Sequence, residues 1–366
     1  MMLPLLAISA FVSLGAAQTY TTCNPTETTC PPDTGLDQWS LFTDFTQGSS
    51  DEWSQVQVQG NVTYGSNGAE FTIAKRFDAP TLQTNFYIFF GEVEVVMKSA
   101  SGTGIVSSIV MLSDDLDEVD WESTGTDTTQ METNYFGKGN TTTYNRAIWE
   151  TVSTPQDEFH AYKVVWTPAA ITWYIDGTAV RTLEYADALG GENYPQTPMV
   201  VKLGIWAGGD PSNGEGTIEW AGGLTNYADV PFTMYVQSVN IVNYNPASSY
   251  NYTDETGSYT SILASNSTTG GIHISKSVSV SAPSSNSTST STSSSSTTSS
   301  AATSTHTAAV QTSTSVNSSS MTASSPSSAS ASTSASALAV PSGAAVAYLP
   351  SFFVTVFFAL ATALAL

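Results

Sequence analysis

The sequence predicts an all-β head, a two-sheet sandwich or a barrel, followed by a disordered Ser/Thr-rich stalk. Three observations point there. Residues 18–245 are rich in Val, Ile, Tyr, Trp and Thr in short alternating runs, with few helical patterns. Gly-bearing turn signals separate these runs. From Pro246 the composition shifts, and residues 280–340 are dominated by Ser, Thr and Ala. Such a stretch buries too little apolar surface to offset its ordering entropy.

The strands follow in order. Val62 and Tyr64, then Ala69, Phe71 and Ile73, flank Asn67-Gly68, a hairpin turn signal. Glu92-Val93-Glu94-Val95 alternates, and Ile105 to Leu112 reads as a strand buried on at least one face. Ala161 to Trp166 and Ile171 to Ile175 form a further pair, with Asp176-Gly177 turning into Val180. Met199 to Trp206 and Tyr235 to Tyr244 complete the set.

Both ends carry processing signals. Residues 1–17 are apolar and end in Leu14-Gly15-Ala16-Ala17, as in a secretory signal peptide. Phe352 to Leu366 is apolar apart from Thr355 and Thr362, shorter than the roughly 20 residues that a membrane span needs. Small residues precede it at Ser342-Gly343-Ala344, so residues 343–366 fit a GPI-attachment propeptide joined at Ser342 or Gly343. A single membrane helix starting near Ala344 is the alternative, although no basic cluster follows it. Residues 246–342 would form the stalk, O-glycosylated as Ser/Thr-rich stalks are. N-glycosylation sequons stand at Asn61, Asn140, Asn251, Asn266, Asn286 and Asn317.

Charge and rare residues narrow the chemistry. A net charge of −22 with nine Lys plus Arg excludes nucleic acid, which needs cations, and anionic lipid likewise. A neutral polymer such as a polysaccharide is compatible. Cys23 and Cys30 pair as one disulfide in a secreted chain. Of three histidines only His160 lies in the head, which excludes a multi-His zinc site. His160 reads as a structural hydrogen-bonding residue. Neither a metal nor another cofactor is expected, and the chain should be a monomer.

The informative stretch is Asp117-Glu118-Val119-Asp120-Trp121-Glu122. Period-two alternation puts Glu118, Asp120 and Glu122 on one strand face, with Val119 and Trp121 on the core side. Three acids in a row repel one another, which on a flat exposed sheet brings only cost. In a cleft, crowding raises the pKa of at least one of them. Glycoside hydrolysis uses that pairing of a protonated and an ionised carboxyl. On a straight strand Glu118 and Glu122 would stand roughly 13 Å apart at Cα, so a curved sheet with the acids on its hollow side is expected. Alone, E-x-D-x-E is more often a solvated acidic edge strand than a catalytic row.

The surrounding blocks resemble glycoside hydrolase family 16. They are Gly91 to Lys98, Gly102 to Ser108, Asp117 to Glu122, Gln130 with Thr133-Asn134-Tyr135 and Gly137 to Asn140, Phe159 to Tyr162 with Trp166, and Trp173 to Gly177. Gly204 to Asp210 and Gly216 to Gly223 are most similar to the fungal Crh-type wall transglycosylases. The resemblance covers residues 36–245. It implies a concanavalin-like β-jelly-roll sandwich whose curved sheet forms the substrate cleft. It also implies a GPI-anchored, retaining enzyme that moves chitin onto β-1,3- or β-1,6-glucan. By resemblance Glu118 is the nucleophile, Glu122 the acid/base and Asp120 the assisting residue. A β-glucanase or chitinase of the same fold, or a non-catalytic glycan-binding wall protein, are the alternatives.

Trp206 and Trp220, the latter expected in a Gly-rich loop, are candidate sugar platforms, since indole faces suit pyranose faces. Gln130, Asn134 and Glu219 are candidates to bind sugar hydroxyls, with Lys138 and Arg146 along the rim. Trp39, Trp53, Trp121, Trp149 and Trp166 are assigned to the core.

Overall fold

The computed structural model describes residues 19–57 and 59–267. The leader (1–17), the sequons at Asn286 and Asn317, and the attachment segment from Ser342 lie outside these residues. In chain order the first strands are β1 (Asp33–Thr34), β2 (Ser40–Asp44), β3 (Trp53–Gln57), β4 (Asn61–Gly65), β5 (Gly68–Ile73) and β6 (Thr81–Thr84). There follow β7 (Gly91–Lys98), β8 (Ile105–Ser113), β9 (Glu118–Thr124), β10 (Gln130–Phe136), β11 (Ile148–Thr151) and β12 (His160–Trp166). The last are β13 (Ala170–Ile175), β14 (Thr178–Glu184), β15 (Met199–Ala207), β16 (Phe232–Asn243), β17 (Ser249–Tyr252) and β18 (Ile262–Ser265). One short helix, α1 (Glu215–Trp220), sits between β15 and β16.

Two antiparallel sheets make a jelly-roll sandwich. One has seven strands in the order β11-β10-β9-β8-β15-β6-β3. The other has the order β14-β13-β12-β7-β16-β5-β4, with β2 also paired to β16. Alternation decides which face packs. In β7, Val93, Val95 and Met97 are buried, while Glu92, Glu94 and Lys98 are not. The sheets meet through large side chains: Trp121 of β9 lies 5.4 Å from Tyr162 of β12, and Trp173 Nε1 donates to the Asp120 carbonyl at 3.2 Å. Aromatic contacts of this kind dominate core energetics. Trp53, Trp121 and Trp166 are core residues as the sequence suggested.

Four details differ from the sequence expectations. The head does not end at 245: β17 and β18 pair with β1 in a third sheet, and Tyr250 packs edge-on against Phe89. Trp39 is not in the core but 57% exposed, because it precedes edge strand β2 and points outward. Trp149 of β11 is only partly buried. The β4–β5 turn is Ser66-Asn67, with Gly68 opening β5. Cys23 and Cys30 form a disulfide.

Gly68 takes φ 97° and lies where a Cβ would run into the Val236 carbonyl of β16. Both the backbone conformation and the close approach require glycine. Gly68→Ala should destabilise the head by about 1–3 kcal/mol, read as a lowered thermal unfolding midpoint. An unchanged midpoint would mean that the β4–β5 hairpin shifts freely against β16.

Candidate active site

Strand β9 sets the site. Its inward residues Val119 and Trp121 are buried in the core, so Glu118, Asp120 and Glu122 project from the outer face of the seven-stranded sheet. That face is nonetheless recessed: Glu118 is 9% and Asp120 2% exposed, while Glu122 keeps partial contact with solvent. The start of the row is anchored by Asp117. Its carboxylate accepts from the Gln196 amide at 2.7 Å, the Thr197 hydroxyl at 2.9 Å and the Lys138 amide at 2.9 Å.

Neighbouring strands complete the floor by register. Asp120 pairs with Asn134 of β10 and Val110 of β8, and Val110 pairs with Lys202 of β15. Glu122 pairs with Glu132 of β10. Directly paired residues share a face, so Glu132 is a fourth acid beside Glu122. It is 1% exposed, accepts from Trp220 Nε1 at 2.6 Å and from Asn134 Nδ2 at 3.3 Å. Trp220 stacks on Trp206 with centroids 6.1 Å apart and planes 25° apart, making one indole wall over the acids. At the other end of the row, the Thr19 hydroxyl donates to Glu118 Oε1 at 3.1 Å, and Lys202 Nζ lies 4.6 Å from the centre of the Tyr20 ring.

Burial raises all four carboxyl pKa values, and the surroundings then separate them. Burial pushes Glu118 up, but hydrogen bonds from Thr19 and Asp120 and the charge of Lys202 oppose this. For Asp120, burial, the charges of Glu118 and Glu122, and the closeness of the Glu118 carboxyl act together to raise it well above the usual range. For Glu122, burial and the charges of Glu132 and Glu118 keep the proton on well above the usual range. The Trp206 indole opposes this only weakly, because its N–H is aimed toward Glu122 without closing a hydrogen bond. Glu132 is raised by burial too, but Trp220, Asn134 and Arg181 favour its anion. The cluster titrates as one set. Within that set, donors around Glu118 and Glu132 oppose the effect of burial, while Asp120 and Glu122 are pushed further above the usual range. An anion and an acid on one strand face can attack a sugar carbon and protonate its leaving oxygen.

The other sequence candidates divide. Gln130 opens β10 on the same face and lines a groove with Trp149 and Trp220. Asn134 lies among the acids but is committed to Glu132 and, through Oδ1, to the Tyr135 amide. Lys138 turns toward Asp117, with Nζ 3.9 Å from the carboxylate, and not to the row. Arg146 holds the carbonyls of Asn140 and Thr143 and covers the Phe136 ring. Glu219 is exposed on α1, which stands where the Gly-rich loop was expected. His160 bonds Asp176 and the Ser153 carbonyl, a structural role. Among the described residues no His, Cys, Asp or Glu cluster is arranged to hold a metal.

Sequence reading missed Glu132 and Lys202. Glu132 sits at period two between Gln130 and Asn134, both already singled out, so the signal was available. Lys202 is the one cation in an apolar run and shares its strand face with Trp206.

Comparison with known proteins agrees with this geometry. The model for glycosyl hydrolases family 16 matches residues 49–222. Crh-like protein 1 of Aspergillus fumigatus is 76% identical over 366 residues, 100% of both chains. Congo red hypersensitive protein 1 of Saccharomyces cerevisiae is 50% identical over 244 residues, covering 66% of this chain and 47% of its own. The solved structure of Crh5 transglycosylase in complex with NAG is 60% identical, with a TM-score of 0.65, covering 66% of this chain and 99% of its own.

Two substitutions should move opposite limbs of the pH profile of kcat/KM. Glu132→Gln keeps an acceptor for Trp220 but removes a charge that holds the proton on Glu122. Glu122 then loses its proton sooner, and the basic limb moves to lower pH. Lys202, with its pKa pushed down to about 8 by burial, is charged below that pH and favours the Glu118 anion. Lys202→Met should move the acidic limb to higher pH. Limbs that stay in place would contradict the assignment of charges.

Proposed function

The chain belongs to glycosyl hydrolases family 16, and from that premise we propose that it is a retaining wall transglycosylase that cuts chitin and transfers it to β-1,3/1,6-glucan through a glycosyl-enzyme on Glu118. The observation that carries this reading is the row of Glu118, Asp120 and Glu122 on one recessed strand face, with Glu132 in register beside Glu122. Burial raises Glu118 against the opposing pull of Thr19, Asp120 and Lys202, while burial and the charges of Glu132 and Glu118 together raise Glu122 well above the usual range. In the first step a Glu118 oxygen attacks the anomeric carbon as the glycosidic bond breaks, and the Glu122 proton goes to the leaving oxygen. Glu122, now a carboxylate, takes the proton of an acceptor hydroxyl. That oxygen attacks the same carbon and releases Glu118. Asp120, two residues along the same strand face from Glu118, steadies the carboxylate as its charge is spent and restored.

Transfer prevails over hydrolysis where a sugar hydroxyl is held in attack geometry against bulk water. The Trp206–Trp220 wall offers an apolar face for a sugar ring beside Glu122, and Gln130 with Trp149 extends the groove. We assign acceptor contacts to this end. The relative solved with NAG supports an N-acetylglucosamine donor for this chain. The leader and the attachment segment support secretion and a lipid anchor at the outer surface. Among the described residues no helix is long and apolar enough to cross a membrane.

The secreted protein, given chitin oligosaccharides and fluorescent laminarin oligosaccharide, should form a labelled, chitinase-sensitive product. Glu118→Gln should lower that rate by more than about a thousandfold. Shortened donor without labelled product would make the protein a hydrolase on this fold. Binding without any change in the sugars would make it a lectin.

A further inference from the structure

The outer face of the eight-stranded sheet lies on the side of the sandwich away from the acids, and an aromatic strip crosses it. Trp39, just before β2, is 57% exposed and stacks on Tyr244 with centroids 5.9 Å apart and planes 28° apart. The Tyr244 hydroxyl donates to Glu92 of β7 at 2.7 Å. The other Glu92 oxygen lies 3.7 Å from Lys163 Nζ of β12, and that ammonium covers the Tyr174 ring of β13 at 5.0 Å. Register places Glu94, Asn240 and Phe42 alongside, with Phe42 64% exposed on the edge strand. Glu92, Glu94, Lys163, Tyr174 and Asn240 alternate with buried core residues and so face outward by the pleat, as Phe42 does on β2, while Trp39, outside β2, joins the strip through its stack on Tyr244.

We propose that this strip is a second glycan-binding site, a platform for an extended β-linked wall polysaccharide, separate from the catalytic cleft. Three physical points select that ligand. The exposed Trp39 and Phe42 rings, with the half-buried Tyr244 and Tyr174 beside them, suit a stiff chain whose rings present flat apolar faces. The polar groups between the rings are hydrogen-bonding and largely charge-paired, which suits hydroxyl-rich, uncharged polymer. A lipid surface suits it poorly, since the chain carries a net charge of −22 and the strip itself holds Glu92 and Glu94. The Asn61 sequon on β4 leaves the strip open. Asn61 pairs through Thr72 to Thr233, at the far end of β16 from Tyr244.

Holding one polymer on this face raises the effective concentration of chain ends near the cleft without occupying it. Only the identity of the polymer rests on the transglycosylase reading; the site itself does not.

The test uses the full secreted protein. Its depletion by insoluble β-1,3-glucan and by chitin particles is measured with excess soluble chitin oligosaccharide filling the cleft. Trp39→Ala should weaken binding to at least one of the two polymers by about tenfold, and Trp39→Ala with Tyr174→Ala further still. Trp39→Phe, which keeps a flat ring, should fall between. Transfer between soluble oligosaccharides should stay at the wild-type rate in all three. Superimposable binding curves would overturn the proposal. So would a parallel loss of soluble transfer, which would make the strip part of the cleft, or loss of binding to neutral phospholipid vesicles in place of the polymers.

Discussion

Four carboxyl groups share one recessed patch of sheet surface, and their mutual repulsion is the constraint on which the rest of the site depends. Glu118, Asp120, Glu122 and Glu132 could not all ionise at this burial. The protein meets the cost by giving donors to two of them and withholding donors from the others. Thr19 and Lys202 serve Glu118; Trp220 and Asn134 serve Glu132. Asp120 Oδ1 is left without a hydrogen-bond partner. The surroundings thereby differ from acid to acid, as chemistry that needs both an acid and a nucleophile requires.

That order extends beyond the strand that carries the acids. Trp220 both stacks on Trp206 and donates to Glu132, so the indole wall and the carboxyl beside Glu122 are mechanically joined. A sugar that shifts the indole would alter the hydrogen bond to Glu132. Asp117, with its pKa raised to about 7 by burial, ties the entrance of β9 to the Gln196-Thr197 segment ahead of β15. Three strands are thereby held in the register that brings Lys202 and Trp206 to the acids.

Much of this was legible in the sequence. Strict alternation in Gly91–Lys98 and Glu118–Thr124 gives both the strands and their faces, and the three β9 acids follow directly. What was not legible depends on contacts far apart in the chain. Trp39 has no periodic neighbours to say which way it points. Ser249–Tyr252 is short, sits after a composition shift and pairs with Asp33–Thr34, more than 200 residues earlier. Lys138 adopts φ 50° in a turn that aims its side chain at Asp117, a conformation that residue type alone does not announce. Helix α1 begins in a Gly-rich stretch with low helix propensity and buries none of its own residues, so no apolar periodicity announces it.

The central claim is that Glu118 takes the sugar while Glu122 moves the proton. The most direct measurement is intact-mass and peptide analysis of Glu122→Gln after incubation with a donor bearing a good leaving group. Such a donor needs no acid for the first step, whereas the second step lacks its base and stalls. The account predicts one glycosyl adduct, on the peptide that contains Glu118. An adduct on another residue, or none while the wild-type protein turns over the same donor, would contradict it.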